Sequence, residues 1–233
     1  MHLLKYSLFL PIAVFISAAN GQDSISVAGK IIPPACIAAF VGGAHLDWGT
    51  VRWASLDATK MTTLEAKQVT LRVQCPEHEK AGMAFRVGAD PNEASALSGP
   101  DTRTAGGAAN HSEQGAIFGI GADPVTLEKL GNFTMTGIQS SHDGIASNLA
   151  YGIAADHSSR AVGFAPVSME RLLYREGREA VDWTAWDEAV GKPALAAVYT
   201  FTFKIEPQLN SRSKLSATQE VPFSGAVQFN VRY

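Results

Sequence analysis

Apolar and polar residues alternate along several short segments of this chain, which is typical of strands that bury one face. The clearest segments are residues 68–75, 198–205 and 226–233. Their apolar faces consist of Val69, Leu71, Val73 and Cys75, of Tyr199, Phe201, Phe203 and Ile205, and of Val227, Phe229, Val231 and Tyr233. This period of two predicts a half-buried strand in each segment.

Weaker apolar runs predict further short strands. They lie at residues 24–32, 46–53, 83–87, 116–120, 133–138 and 151–154. Proline cannot donate to a ladder, so Pro33 and Pro34 end the first of these strands, and Pro207 ends the strand at 198–205. Residues 88–115 are rich in Gly, Ala, Ser, Asn and Asp and predict a loop.

One part of the middle of the chain departs from the strand pattern. Ser168 is a good N-cap residue before a run of helix formers, which predicts a short helix there. Residues 182–190, with Trp183 and Trp186 three apart, indicate either another helical turn or an irregular loop. Taken together, the segments predict an all-β sandwich in one domain over residues 22–233, with a loop-rich insertion at 88–193 that contains a short helix.

The N-terminal residues have the features of a cleaved secretory signal. Lys5 gives a positive start, residues 8–16 are apolar apart from Pro11, and residues 17–21 are mostly small. The apolar run is well short of the roughly 20 residues that a membrane span needs. We expect residues 1–21 to be removed, with cleavage after Ala19 an equal alternative, and the mature chain to be exported.

Composition and charge narrow the classes of protein further. The 233 residues are 46% hydrophobic and 18% charged, which suits a chain with a buried core and not a disordered one. The 19 Lys and Arg against 22 Asp and Glu give a net charge of -3, and no basic cluster is present. Binding to nucleic acid, which needs such a cluster to neutralise phosphates, is not expected.

The two cysteines, Cys36 and Cys75, favour a single disulfide. An even cysteine count in an exported chain is typical of a disulfide framework. The sequence has no CxxC pair for redox chemistry and too few cysteines or clustered histidines for a metal site.

The motifs of common enzymes are missing from the sequence, namely GxSxG, HExxH, GxxxxGK[ST] and GxGxxG. The pairs His142-Asp143 and Asp156-His157, each with serines nearby, supply the residue types of a triad or a metal site. Neighbouring residues in a strand or turn point to opposite sides, so these pairs are interpreted as solvated loop residues. We therefore predict no enzyme activity, no cofactor and no metal.

Aromatic residues in the middle of the chain give a weaker hypothesis of ligand binding. Trp183, Trp186 and Tyr174 would form a platform for a sugar, because flat rings lie against the apolar face of a pyranose. The alternative interpretation is a small core beneath the insertion.

Four segments together resemble the subunits of bacterial chaperone-usher fimbriae. Residues 27–36 are similar to the first strand of a pilin, which ends in a disulfide cysteine, and residues 46–51 followed by Leu56 are similar to the family's "LG.V....L" segment. The strand ending at Cys75 is similar to the one that carries the partner cysteine, and residues 229–233 are similar to the final strand with its near-terminal tyrosine.

This resemblance implies an incomplete immunoglobulin-like sandwich of six strands, with a groove beside the final strand where a seventh is missing. Val227, Phe229, Val231 and Tyr233 would line that groove, and Ile25 and Val27 would belong to a donor strand. In such fimbriae a periplasmic chaperone fills the groove until the next subunit replaces it at the outer-membrane usher. An uncovered apolar strand at an edge agrees with this, because it aggregates unless a partner strand adds to it.

Two functions are therefore weighed for the exported chain. The first is a structural or minor subunit of a surface fimbria, assembled with other fimbrial subunits and contributing to adhesion. The alternative is a self-complete secreted module that binds a carbohydrate or a receptor. The insertion at 88–193 is a candidate place for a host receptor or glycan to bind, and the alternative interpretation is a set of loops without a binding role.

Overall fold

The computed structural model describes residues 36–76, 79–103, 109–156, 158–175 and 180–233, all of which belong to one compact unit that spans residues 33–233. The expected signal segment and the expected donor-strand residues Ile25 and Val27 lie outside the described residues. In the described ranges, no helix is long and apolar enough to cross a membrane.

Strands of two to twelve residues account for nearly all of the regular structure in these ranges. In chain order they are β1 (Ile37–Val41), β2 (Thr62–Thr63), β3 (Lys67–Gln74), β4 (Ala81–Gly82), β5 (Ala84–Val87), β6 (Ile117–Gly119), β7 (Gly131–His142), β8 (Ile145–Ser147), β9 (Leu149–Ala154), β10 (Ala165–Val167), β11 (Arg171–Leu172), β12 (Ala180–Asp187), β13 (Lys192–Pro193), β14 (Leu195–Ala196), β15 (Val198–Leu209) and β16 (Phe229–Arg232). Two single turns of 3-10 helix occur at Trp53–Ser55 and Glu93–Ser95.

The strands pair into two main sheets. The first sheet has the order β1-β3-β15-β7-β11, with β2 beside β15 and with β6 and β8 beside β7. The second has the order β10-β9-β12-β5-β16, with β13 beside β12, while β4 and β14 form a separate two-stranded ribbon. The pairings between these strands are antiparallel.

Aromatic side chains from both sheets meet in one core. The ring of Phe85 in the second sheet lies 4.9 Å from that of Phe201 and 5.7 Å from that of Phe203, both in β15 of the first sheet. Phe229 of β16 lies 5.2 Å from Phe203. The fold is therefore an all-β antiparallel sandwich of the immunoglobulin-like kind, and the predicted fold class is confirmed.

The predicted helix after Ser168 is wrong. The chain there forms the short strand β11, which pairs with β7 through Arg171 and Leu172. Leu172 and Leu173 are both buried in the sandwich. Pairing with the long β7 and burial of two leucines on successive residues override the local preference for helix, which is only a weak guide to structure.

Residues 182–190 are also corrected, because most of them belong to a central strand and not to a helical turn or a loop. β12 lies between β9 and β5 in the second sheet. Val181, Trp183 and Ala185 face the core, and Asp182 and Thr184 on the opposite face are buried as well. A strand buried on both faces loses the alternation of apolar and polar residues that sequence analysis depends on.

The stretch 88–193 is not an insertion into the sandwich. It supplies β7, the fourth strand in the order of the first sheet, and β9 and β12 of the second sheet. Both sheets depend on it, so it is part of the framework.

Pro207 does not end β15, which continues to Leu209. β15 pairs with β3 up to Ile205 and with β2 from Gln208 onward. Pro207 lies at this change of neighbour, and its carbonyl accepts the N–H of Leu64 at 2.9 Å. In a strand, the N–H and C=O of one residue point to the same side, so the N–H that Pro207 lacks would point to the gap between β3 and β2. Its absence therefore interrupts no ladder of hydrogen bonds.

Candidate functional site

The last strand forms an open edge of the second sheet. Through residues 229–232 β16 pairs with β5, with Phe229 opposite Val87 and Val231 opposite Phe85. On its other side, β16 has no strand partner among the described residues. Its outer backbone N–H and C=O groups are therefore available to a further strand.

Side chains alternate along this C-terminal segment as the sequence predicts. Val227, Phe229 and Val231 are half-buried and pack against the core, whereas Gln228 and Asn230 are exposed. The apolar side chains thus point into the sandwich along the open edge.

The alternation begins earlier than predicted, although the backbone there is not a paired strand. Val221 and Phe223 are half-buried and also pack against the core. At Gly225, a Cβ atom would lie 2.5 Å from a ring carbon of Phe133. Glycine at this position therefore lets the segment lie directly over the Phe133 ring.

Beside the open edge is an apolar groove of about 730 Å³, which we call the edge groove. Its walls are the irregular segments 44–53 and 219–227, and Phe40 of β1 and Phe229 of β16 also line it. Its remaining apolar lining comes mainly from the core side of the first sheet and from nearby loops, and includes Val69, Ile120, Leu130, Phe133, Met135, Ile205, Leu209 and Leu215. Core side chains thus face a space that the described residues do not fill.

Polar contacts hold the 44–53 wall in place. The indole N–H of Trp48 donates to the carbonyl of Glu65 at 2.8 Å. The ammonium of Lys67 lies 5.4 Å from the centre of the Trp48 ring and donates to the carbonyl of Asp47. A cation over an aromatic face is an attractive contact, so the wall is anchored to the start of β3.

A buried ionic network holds β16 on the face of the second sheet that is opposite to the core. Arg86 of β5 pairs with Asp182 of β12, Nε to Oδ1 at 2.8 Å, and both side chains are almost fully buried. Arg86 and Arg232 of β16 each donate to the carbonyl of Ser159 at 3.0 Å. The second oxygen of Asp182 accepts the N–H of Ala161 at 2.7 Å. These contacts fix β16 to β5 and leave its outer edge open.

The predicted groove residues do not all behave alike. Val227 and Phe229 line the edge groove, and Val231 packs against the core beside it. Tyr233 instead donates its hydroxyl to the carbonyl of Cys36 at 2.9 Å, and burial raises the pKa of Tyr233. The C-terminus therefore lies close to the start of β1.

The predicted disulfide between Cys36 and Cys75 is formed. It joins the residue before β1 to the residue after β3, and these two strands pair with each other. A disulfide of this kind is typical of proteins that fold in an oxidising compartment.

The hypothesis of an aromatic platform needs correction. Trp183 is buried in the core, 1% exposed, and Trp186 lies three residues further along the same strand, so the two side chains point to opposite faces. Tyr174, and not Trp186, shares a cavity with Trp183. The two tryptophans do not form one surface.

In the two pairs considered for catalysis, the aspartates accept hydrogen bonds from nearby backbone N–H groups. Asp143 follows β7 in a hairpin turn, where its carboxylate accepts the N–H groups of Ala197 and Val198, both at 2.9 Å. Asp156 accepts N–H groups of the next serines, and hydrogen bonds from Ser158 and Ser159 hold its pKa well below the usual range. In the described part of the chain, no three His, Cys, Asp or Glu side chains are grouped to hold a metal ion.

Two parts of the edge groove are not among the site residues that the sequence predicts. Within the 44–53 wall, the sequence predicts a strand over residues 46–53. In the structure these residues have no strand partner, while Leu46, Trp48 and Val51 pack against the core. Val221 and Phe223 could have been found, because they continue the alternation of residues 227–231 with Gly225 between them.

Comparisons with known proteins add one similarity. Residues 25–133 match the model of a family described as "Protein of unknown function (DUF1120)". The match covers less than half of the chain and includes β1, β3 and the 44–53 wall. No curated protein matches the chain.

Proposed function

We propose that this chain is a non-enzymatic subunit of a chaperone-usher surface fimbria, and that a strand from a partner fills the edge groove. The observation that carries the proposal is the apolar groove of about 730 Å³ beside the open edge of β16. The resemblance of the chain's terminal motifs to fimbrial subunits supports the same interpretation.

A strand added beside β16 would satisfy two needs at once. Its backbone would pair with the open edge, and every second side chain would enter the groove between Val227 and the 44–53 wall. An uncovered groove of this size leaves apolar side chains such as Leu215 and Phe229 partly exposed and favours aggregation. The partner strand is therefore apolar at alternate positions.

The proposed partners follow from this mode of binding. A periplasmic chaperone would cover the groove first, and at the outer-membrane usher a strand of another subunit would replace it. Ile25 and Val27 of this chain are the residues we propose for donation to the next subunit. The fimbria would carry the chain to the cell surface, where it contributes to adhesion.

The test is expression of the full chain in a Gram-negative periplasm with and without a fimbrial chaperone encoded with it. We expect soluble protein only with the chaperone, as a one-to-one complex on size-exclusion chromatography. A stable monomer made without any chaperone would overturn the proposal and favour the self-complete binding module.

Two adjacent substitutions make the test specific to the groove. Val227→Glu places a charge inside the groove and should reduce the yield of the complex at least about tenfold, because an unpaired buried charge is costly. Gln228→Glu changes an exposed neighbour on the same segment and should leave the yield unchanged. Protection from hydrogen exchange of the β16 amides that do not face β5, in the wild-type complex, measures strand addition directly; absence of that protection would contradict it.

A further inference from the structure

A second cavity lies on the core side of the second sheet, lined by different residues from those of the edge groove. It has a volume of about 550 Å³, in the range of roughly 300–1,000 Å³ that small-molecule sites occupy. We call it the aromatic cavity; it is lined by Glu113, Gln114, Gly115, Tyr151, Ile153, Arg171, Tyr174, Arg175, Val181 and Trp183.

The sheet side of the aromatic cavity is built by cross-strand pairs. Tyr151 of β9 lies opposite Trp183 of β12, with ring centres 5.8 Å apart, and Ile153 lies opposite Val181. Tyr174 adds a third aromatic ring to the lining. Ile153 is 53% exposed, so the cavity opens to solvent at the β9 side.

Two buried nitrogen atoms in this lining lack a hydrogen-bond acceptor. Among the described residues, neither Nε1 of Trp183 nor Nη1 of Arg175 has a hydrogen-bond partner. The side chain of Arg175 is 10% exposed, and Trp183 is 1% exposed. Nη1 is 3.7 Å from Asp90, too far for a hydrogen bond, while Nη2 pairs with Glu93 at 2.6 Å. A buried donor without an acceptor is costly, which points to an acceptor from outside the chain.

The one carboxylate among the lining residues is already hydrogen-bonded. One oxygen of Glu113 accepts the hydroxyl of Tyr174, and the other lies 3.4 Å from the side-chain nitrogen of Asn110. Burial, followed by this bond to Glu113, raises the pKa of Tyr174 to about 12, so Tyr174 stays a donor to Glu113. Arg171 is exposed at the rim and forms no ion pair with a described residue. The carboxylate of the lining is thus used within the chain, whereas Arg171 and Nη1 of Arg175 are cationic donors without a hydrogen-bond partner among the described residues.

We propose that the aromatic cavity binds a sugar acid as the terminal unit of a saccharide, with its carboxylate at Arg175, Arg171 and Trp183 Nε1. Arginine is well suited to a carboxylate, because its N–H groups match the two oxygens. The rings of Tyr151 and Tyr174 provide flat apolar surfaces for the pyranose. The rest of the saccharide leaves through the side where Ile153 is exposed.

The probes are methyl glucuronoside and methyl glucoside, which differ by one carboxylate on the same ring. Isothermal titration of the full chain, in whichever complex it is soluble, should show binding of methyl glucuronoside and at least about tenfold weaker binding of methyl glucoside. Equal affinity for the two probes, or no binding of either, would overturn the proposal.

A spectroscopic readout places the ligand. In a proton–nitrogen correlation spectrum, the indole N–H signal of Trp183 should move on titration with methyl glucuronoside, because it gains an acceptor. The signal of Trp186, which does not line the cavity, should stay in place. A ligand that leaves the Trp183 signal unmoved at saturation binds elsewhere and contradicts the assignment.

A pair of arginine variants tests the role of charge without disturbing the core. Arg171→Gln should weaken the binding of methyl glucuronoside about tenfold. Arg72→Gln, at an exposed arginine on β3 outside the cavity, should not change it. Unchanged affinity in Arg171→Gln would show that the rim cation does not contact the carboxylate. Neither result depends on fimbrial assembly, so this test and that of the edge groove can fail separately.

Discussion

At the scale of single residues, the hydroxyl of Tyr199 joins the two-stranded ribbon to the first sheet. It lies 2.5 Å from the carbonyl oxygen of Ala81 in β4 and 2.6 Å from that of Ala194, and it accepts the N–H of Ala196 in β14 at 3.0 Å. Tyr199 is fully buried, so water cannot take over these bonds. One hydroxyl thus accepts one backbone N–H and shares its single proton between two carbonyls of a segment with little regular structure.

We predict that Tyr199→Phe lowers the free energy of unfolding by about 1–3 kcal/mol, because the backbone groups are left buried without a partner. Urea unfolding followed by circular dichroism measures this. Tyr151→Phe is the matched control, since the Tyr151 hydroxyl has no hydrogen bond to the described residues, and it should leave the midpoint unchanged. Equal effects of the two variants would refute the role of the Tyr199 hydroxyl.

The same residue gives stability a dependence on alkaline pH. Burial raises the pKa of Tyr199 to about 12, above the usual value of about 10 for tyrosine. Its contribution is complete below about pH 10; as the pH rises towards 12 the unfolded chain loses its proton first, so the free energy of unfolding falls. Tyr199→Phe should make this fall shallower, and Tyr174, also raised to about 12, accounts for part of what remains.

At the scale of elements, the hairpin between β7 and β8 depends on two residues with positive φ. Asp143 has φ 47° and Gly144 has φ 79°, and they form the two-residue connection between His142 and Ile145. Positive φ at both positions is the requirement of a type I′ turn, for which Asp-Gly is a preferred pair. Asp143 also binds the N–H of Val198, so the turn positions the start of β15.

Gly144→Ala should therefore lower the free energy of unfolding by about 1–2 kcal/mol, the cost of a Cβ in the left-handed region. No atom lies within 4 Å of the added Cβ, so the effect comes from the backbone alone. Gly163→Ala is the control: its Cβ would also be in open space, but its φ is not in that region. Urea midpoints that shift equally in both variants would contradict the argument.

The sequence pattern predicted the strands that bury one face. It did not predict elements whose structure depends on the strands packed beside them. The strands predicted at 68–75, 198–205 and 226–233 are present as β3, β15 and β16, because their alternation matches one buried and one exposed side. β12 was missed, since the pair of Asp182 with Arg86 buries polar residues on its second face. The Asp143-Gly144 pair is typical of a hairpin turn, but Asp143 was considered only as a residue of a triad or a metal site.

The edge groove was predictable only in part for a similar reason. Val227 and Phe229 follow from a period of two, which a single sequence displays. The 44–53 wall has an irregular backbone, so its apolar residues show no regular spacing in the sequence. It is held in place by contacts such as the hydrogen bond from Trp48 to Glu65, seventeen residues further along the chain. The aromatic cavity likewise depends on which strands lie side by side, and this is not encoded in local spacing.

At the scale of the whole molecule, the disulfide lies next to both ends of the described sandwich. Cys36 is the residue before β1, and its carbonyl accepts the hydroxyl of Tyr233, the last residue of the chain. Phe40 of β1 and Phe229 of β16 face each other with ring centres 5.3 Å apart. The bond to Cys75 therefore holds the strand that borders the edge groove opposite β16.

Replacing both cysteines by alanine should lower the free energy of unfolding by about 4 kcal/mol, because the bond joins residues 39 apart and restricts the unfolded chain accordingly. This is a large part of the roughly 5–15 kcal/mol that stabilises a typical domain. Guanidinium unfolding with and without a reducing agent measures it: the reductant should destabilise the wild type by the same amount and leave the double variant unchanged. A double variant as stable as the wild type would mean that β1 is held by its pairing with β3 alone, without the covalent link to β3.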